Sequence, residues 1–432
     1  MALNFIKKII FKLGVAKRNP SFNEKFISLM KTDFADRDEL DILVKNKLRD
    51  LLVFSQQYSN FYRDRFNKQG IILSENFDPF DVLSRLPTVT KSDLITSNKL
   101  IDTTSFFPFK KTFFSETSGS SGEPLTFLKN EEWDSANRAA IARGMSWYGV
   151  EFSDRNGYFW GYSFSKLQIV KTKFFDFLLN RFRLFSYSDE DIQSFMKKAE
   201  NAVYIHGYSS MIYEVARKAN SNGMKLNNIK FVKGTSEKIY AHYNDEAFKA
   251  FGRKIVSEYG AAEAGIIAFE CPEGNMHINE ENCLVEVIDE KIVVTNLESL
   301  SFPIIRYELG DFVKLSEKQC SCGRHHKVIS EVLGRVGKNI YGKENKVFPS
   351  LTLYYIFKRL ALECGYIINY RAEQHEIGKL VFFLEGEVSQ EVNDKVLDFA
   401  QSYFLNTVEV ELKNESVIHS KNKKLKDFES FL

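Results

Sequence analysis

Between residue 115 and Asp311 the chain repeats one pattern: a short apolar run, a turn, then an amphipathic stretch. Asn156-Gly157-Tyr158-Phe159-Trp160-Gly161 reads as a strand entering a turn, and residues 202–206 as a strand followed by a helix through Met211, Ile212, Val215 and Ala216. Residues 230–233 and 254–259 read as further strands, each expected to end in a glycine-containing loop. Such repetition predicts an α/β fold with ligand sites at the strand ends. Residues 284–288 and 291–295 then read as a hairpin, which predicts an antiparallel region after the alternating one.

The flanking segments differ. Apolar periodicity through Leu40, Leu43, Leu48, Leu51 and Leu52, then Phe61, Tyr62 and Phe66, predicts helices over residues 1 to about 105, with Thr90 or Ser92 as a cap. Beyond Gly334 a small α+β unit is expected: a helix from Ser350, strands at 366–371 and 380–385, a helix over 390–404 and a strand at 408–412.

Composition narrows the function. With 59 basic and 57 acidic residues the chain carries no broad footprint for nucleic acid. No run approaches the roughly 20 apolar residues needed to span a bilayer. Residues 5–13 mix bulky apolar groups with lysines, too short and interrupted for a signal peptide. That segment reads either as an interfacial helix on anionic lipid or as a terminal helix docked on its own domain. The cytoplasm is the expected compartment.

Four of five cysteines fall in a central stretch, which points to metal rather than to a disulfide framework. Cys271, His277, Cys320 and Cys322 offer the thiolate and imidazole donors that zinc prefers, with Cys283, His325 and His326 as substitutes. The other reading is buried cysteines with exposed histidines.

The segment from Ser115 to Gly122 is almost all Ser, Thr and Gly. Small residues let backbone N–H groups turn toward an anion, so a phosphate cradle is one reading and a plain surface loop the other. Four later segments follow it in order: Tyr259-Gly260-Ala261-Ala262-Glu263, Arg306-Tyr307-Glu308-Leu309-Gly310-Asp311, Gly334-Arg335-Val336-Gly337-Lys338, and Gly342 with Val347-Phe348-Pro349-Ser350. Ile205-His206-Gly207-Tyr208-Ser209-Ser210 adds another. In this order and spacing they resemble the motifs of the adenylate-forming (acyl-CoA synthetase) superfamily, in its phenylacetate–CoA ligase branch. Within that branch the resemblance is to divergent members from capsule and surface-polysaccharide clusters.

That resemblance implies an adenylation domain over 1–333, a hinge at 334–338 and a mobile C-terminal α+β domain over 339–432. It implies that Thr117, Ser118, Gly119, Ser120, Ser121 and Gly122 hold ATP phosphates, and that Glu263 binds Mg²⁺. Gly234, Thr235, Ser236, Glu237, Tyr259 and Gly260 would flank the nucleotide, Asp311 would accept from both ribose hydroxyls, and Arg335 would reach ribose or phosphate. Lys424 would neutralise the α-phosphate, with Lys421 or Lys423 in other registers. Tyr158, Trp160, Tyr208 and Ala261 are acyl-pocket candidates or ordinary core residues. The Cys/His set is implied to be a structural zinc site, because branch members carry a similar pattern.

The expected reaction is activation of a carboxylic acid as acyl-adenylate, then transfer to CoA. Transfer to a sugar or amine acceptor without CoA is a second reading, and a non-catalytic nucleotide-binding scaffold a third. Glu123, Gly337 and Lys423 depart from the branch pattern and motivate the third. A homodimer is compatible with all three, and membrane contact would be peripheral at most.

Overall fold

The computed structural model describes residues 2–117, 124–159, 166–185, 188–236, 239, 241–334, 339–366, 368, 370–415 and 428–432. It has the expected α/β class. Seven helices, from Ala2–Arg18 to Asn98–Ile101, precede the first strand. Thr90 caps the helix Lys91–Thr96 through a reciprocal capping box with Asp93.

One eleven-stranded sheet carries the centre of the chain. Its parallel half runs Ile255–Ala261, Phe231–Thr235, Tyr204–Tyr208, Asn156–Phe159, Arg181–Arg183. Helices Asp189–Ala199, Ser209–Ser221 and Ala241–Phe251 cover it with a core of Phe159, Phe195, Ile205, Ile212, Val215, Val232 and Phe251. Its antiparallel half continues through Gly265–Glu270, Met276–Ile278, Val328–Gly334, Tyr307–Leu315, Lys291–Asn296 and Cys283–Ile288. A separate core there joins Leu48, Leu51, Tyr62 and Phe66 of the first helices to Ile292, Val294, Phe302 and Tyr307. The expected hairpin is present, with Val285 opposite Val294.

Glycines 234 and 260 lie inside strands rather than in the loops expected after them. The reason is packing: a Cβ on Gly234 would meet the Ser209 hydroxyl at 2.5 Å and Ile255 Cγ2 at 2.7 Å, and one on Gly260 would meet the Gly265 carbonyl oxygen at 2.4 Å. In the C-terminal segment a four-stranded sheet runs Glu409–Glu415, Lys379–Glu385, Tyr370–Glu376, Phe428–Ser430. The strand expected at 366–371 begins at Tyr370 instead, because a π-helical turn, Leu360–Cys364, prolongs the preceding helix. Helices Leu351–Arg359 and Gln390–Tyr403 pack on this sheet through Ile356, Val396 and Phe399 against Leu380 and Phe382. Among the described residues no helix is long and apolar enough to cross a membrane.

Candidate active site and metal centre

Two phenol–carboxylate pairs lie at the seam between the parallel and antiparallel halves. Tyr259, near the end of the strand Ile255–Ala261, donates its hydroxyl to Asp311 Oδ2 at 2.8 Å. Asp311 sits mid-strand, which rules out a capping or turn role. It follows Gly310, at φ +89°, where pairing slips from Val293–Glu308 to Lys291–Phe312. A bulge of this kind re-aims side chains, and its left-handed backbone suits glycine.

The second pair is Tyr307, whose hydroxyl donates to Glu263 Oε1 at 2.8 Å. Glu263 is buried, so it is not an ordinary surface glutamate. Tyr307 opens the strand that carries Asp311, and Val89 clamps that opening. The Val89 N–H donates to the Arg306 carbonyl (2.8 Å), and the Glu308 N–H to the Val89 carbonyl (2.9 Å). A carboxylate such as Glu263 is a hard oxygen donor of the kind Mg²⁺ takes.

The Ser/Gly loop leaves a pinned neck. The Thr117 N–H donates to the Leu125 carbonyl, and the Leu125 N–H to Thr117 Oγ1, each at 2.9 Å. Ser118, Gly119, Ser120, Ser121, Gly122 and Glu123 lie outside the described residues. So do Trp160, Glu237, Arg335 with 336–338, and Lys421, Lys423 and Lys424.

One residue the sequence reading did not flag stands on the strand leaving this loop. Lys129 shares a face with buried Phe127, and its ammonium lies 5.7 Å from the Phe127 ring and 5.2 Å from that of Trp133. Burial among these rings lowers its pKa to about 8, against the opposing pull of Asp134 and Glu263. A native pKa below the ordinary lysine value means the unfolded chain binds more protons between about pH 8 and 10.5. The burial cost is thus full below pH 8 and is relieved as pH rises toward 10.5. Only strand alternation, placing residue 129 on the same side as Phe127, could have signalled it.

At the ends of the parallel strands, Tyr208 stands opposite Thr235, and Thr235 opposite Glu258. The Thr235 hydroxyl (2.9 Å) and the Lys233 ammonium (2.5 Å) both donate to Glu258, making a buried polar floor. Ser236 follows at φ +67°, turning the chain sharply out of the sheet. Burial, then Lys233 and Arg181, hold His206 well below its ordinary pKa and so neutral. Of the acyl-pocket candidates, Tyr158 lies tilted against His206, with ring centroids 4.7 Å apart and the Arg181 and Arg183 guanidinium groups each 4.7 Å from its ring. Tyr208 lies 5.7 Å from Tyr355 of the C-terminal segment, and Ala261 ends its strand.

The four expected metal ligands converge. One donor atom from each of Cys271, His277, Cys320 and Cys322 lies within 4.8 Å of the other three. Cys271 Sγ is 3.7 Å from Cys320 Sγ, and Cys322 Sγ is 3.2 Å from His277 Nε2. Two thiolates on a tetrahedral zinc, at Zn–S of about 2.3 Å, stand about 3.8 Å apart. His277 Nδ1 is 3.3 Å from the His326 carbonyl oxygen, so Nδ1–H donates there and Nε2 is left as the ligand atom. Cys320 Sγ accepts from Asn275 Nδ2 (3.2 Å) and the Cys322 N–H (3.5 Å). Burial pushes the Cys271 thiol up to about 12 and His277 down to about 4. A metal would have to displace the thiol protons, so its affinity rises with pH.

The substitute ligands are committed elsewhere. The Cys283 thiol donates to the Asn279 carbonyl at 3.5 Å, His326 Nε2 is 2.9 Å from Glu281, and His325 faces Gln319. Around the cluster, Asp33 from the N-terminal helices accepts from Arg324 (2.8 Å) and from the Trp147 indole (3.0 Å).

No family model matches the chain. It is 21% identical to Protein CapK of Staphylococcus aureus over 360 residues, which is 80% of this chain and 78% of that one. A 118-residue stretch, 24% of this chain and 26% of the other, is 29% identical to a phenylacetate-coenzyme A ligase of Thermus thermophilus. Among solved structures, 2-hydroxyisobutyryl-CoA ligase with 2-HIB-AMP in its postadenylation state superposes with a TM-score of 0.59 at 17% identity, covering 93% of this chain and 91% of that one. Its complex with 2-HIB-AMP and CoA in the thioesterification state gives a TM-score of 0.61 over the same shares, again at 17% identity.

Proposed function

We propose, from the premise that this chain resembles the adenylate-forming superfamily in sequence and shares the fold of its ligases, that it activates a carboxylic acid with ATP and passes the acyl group to CoA. The observation that carries this reading is the pair Tyr259–Asp311 and Tyr307–Glu263, two carboxylates each held by a phenol at one seam of the sheet. In the first step a carboxylate oxygen bonds to the α-phosphorus, the bond to the β-phosphate's bridging oxygen breaks, and pyrophosphate leaves. In the second the CoA thiolate attacks the acyl carbon and AMP leaves.

Asp311 holds the ribose in this reading, and residues 117–122 hold the β- and γ-phosphates. Glu263 binds Mg²⁺, which when present neutralises phosphate charge. Thr235 and Ser236 border the adenine, and Lys424 arrives with residues 339–432 by rotation about 334–338. Zinc at Cys271, His277, Cys320 and Cys322 is structural. The cytoplasm, where ATP and CoA are held, is the setting this reading expects.

Lys129 adds a positive charge on the phosphate side. Replacing it with Met is expected to weaken pyrophosphate about tenfold in the exchange reaction, the size of one desolvated charge-assisted contact. An unchanged Michaelis constant for pyrophosphate in the Lys129→Met variant would remove Lys129 from the site.

ATP–pyrophosphate exchange across a panel of carboxylic acids, with and without CoA, tests the whole reading. Exchange stimulated by one acid, with thioester formed when CoA is added, is the expected result. Exchange without thioester would favour transfer to an amine or hydroxyl acceptor. Exchange with no acid, in protein that binds ATP, would leave a nucleotide-binding scaffold.

A further inference from the structure

Two helices far apart in sequence present a joint apolar face to solvent. In the first, Ala2–Arg18, Ile6, Ile9, Ile10 and Leu13 follow the spacing i, i+3, i+4, i+7 of a single helical stripe. That stripe normally faces a core. Here its members are 50%, 44%, 38% and 66% exposed, respectively. The helix docks by its other side: Lys7 is buried with its ammonium 3.6 Å from the Phe177 ring, and Lys8 pairs with Asp154 at 2.7 Å.

Phe177 belongs to the second helix, Lys166–Leu178, which packs beside the first. This helix shows the same inversion, with Val170 (67%), Phe174 (59%) and Phe177 (51%) on one exposed stripe and Phe175 also exposed (49%). The reading of a terminal helix docked on its own domain holds, yet its apolar stripe is not what docks it.

Charge identifies what covers this face. The two helices carry eight lysine and arginine residues and one carboxylate, Asp176. Asp176 is buried and taken by Arg181 and Arg183. Lys12, Lys17, Lys171 and Lys173 are exposed around the apolar stripes. Outside the two helices acidic residues outnumber basic ones, 56 to 51, so this local excess of positive charge is specific to the patch. Bulky aliphatic and aromatic groups ringed by lysines match the apolar boundary and negative headgroups of an anionic bilayer. A protein partner for so basic a rim would have to bring an acidic ring around an apolar centre. A second copy of this face would bring lysines against lysines.

We propose that helices Ala2–Arg18 and Lys166–Leu178 together form a peripheral docking surface for an anionic phospholipid bilayer. The inference is independent of the catalytic reading, since none of these side chains belongs to the site described above. Docked there, the protein would be held next to membrane-bound acids or acceptors.

Co-sedimentation of the full chain with vesicles tests it. Vesicles of phosphatidylcholine with a third phosphatidylglycerol are expected to bind the protein, with binding lost in high salt, and pure phosphatidylcholine vesicles are not. The double variant Leu13→Glu, Phe174→Glu, at two already exposed positions, is expected to weaken vesicle binding at least about tenfold with thermal stability unchanged. A charge variant, Lys12→Glu with Lys171→Glu and Lys173→Glu, leaves the apolar stripes in place and is expected to lose binding as well. Absence of binding by the unaltered protein, or binding by either variant equal to that of the unaltered protein, would overturn the proposal. So would a dimer that dissociates in the Leu13→Glu, Phe174→Glu variant while vesicle binding is absent, which would assign the face to self-association.

Discussion

Replacing Asp311 by Asn is expected to slow ATP–pyrophosphate exchange about a hundredfold at low ATP while leaving the fold intact. Asn keeps the shape and an amide oxygen for the Tyr259 hydroxyl, now 2.8 Å from Oδ2, so the bulge after Gly310 has no reason to rearrange. It removes the negative charge. Hydrogen bonds to a charged acceptor contribute about 1.5–3 kcal/mol each, and two ribose hydroxyls would lose that advantage together. The change should appear mainly in the Michaelis constant for ATP, because the ribose does not take part in bond breaking. Exchange kinetics equal to those of the unaltered protein, with an unchanged melting temperature, would take Asp311 out of the nucleotide site and with it the main support for adenylation.

The metal centre should give the largest stability effect. One zinc per chain is expected by elemental analysis of protein purified without chelator. Cys320→Ser, or removal of zinc by a strong chelator, is expected to lower the melting temperature by about 5 °C, on a loss of roughly 3–5 kcal/mol. The site ties three distant pieces together. Cys271 follows the strand Gly265–Glu270, His277 lies opposite Val328 in the next pair, and Cys320 and Cys322 sit in the connection between Tyr307–Leu315 and Val328–Gly334. Without a shared ion, three buried or half-buried thiols and an imidazole would be left to satisfy one another. Protein that binds no zinc and melts at the same temperature as Cys320→Ser would show the cluster to be an ordinary packed set of thiols.

Much of this arrangement was legible in the sequence, for identifiable reasons. Period-two and period-3.6 patterns located the parallel strands, the hairpin at Val285–Val294 and the capped helix at Thr90. Ligand type and spacing brought out Cys271, His277, Cys320 and Cys322. What local pattern does not carry is pairing across distance. Nothing near Glu263 announces that Tyr307 will hold it, because that bond depends on how the strand Tyr307–Leu315 is clamped by Val89. Lys129 was invisible for the same reason: its altered environment comes from Phe127 and Trp133 folding around it. The displaced strand start at Tyr370 reflects a π-helical turn, which has no compositional signature. The mix of apolar groups and lysines in the first helix was legible, but which side faces the protein depends on Phe177.

The phenol of Tyr259 already occupies part of the carboxylate that the ribose is proposed to use. In that reading one ribose hydroxyl takes the place of the phenol, one hydroxyl for another. A 2′-deoxynucleotide, which cannot make that substitution fully, would leave the phenol where it is and the carboxylate still satisfied. Sugar selectivity in this protein should for that reason be mild, and it should sharpen when Tyr259 is changed to Phe and the stand-in hydroxyl is gone. The ratio of exchange rates with ATP and 2′-deoxy-ATP, before and after that change, reads this directly. A tyrosine that braces an aspartate would then also set how strictly the protein distinguishes one sugar from the other.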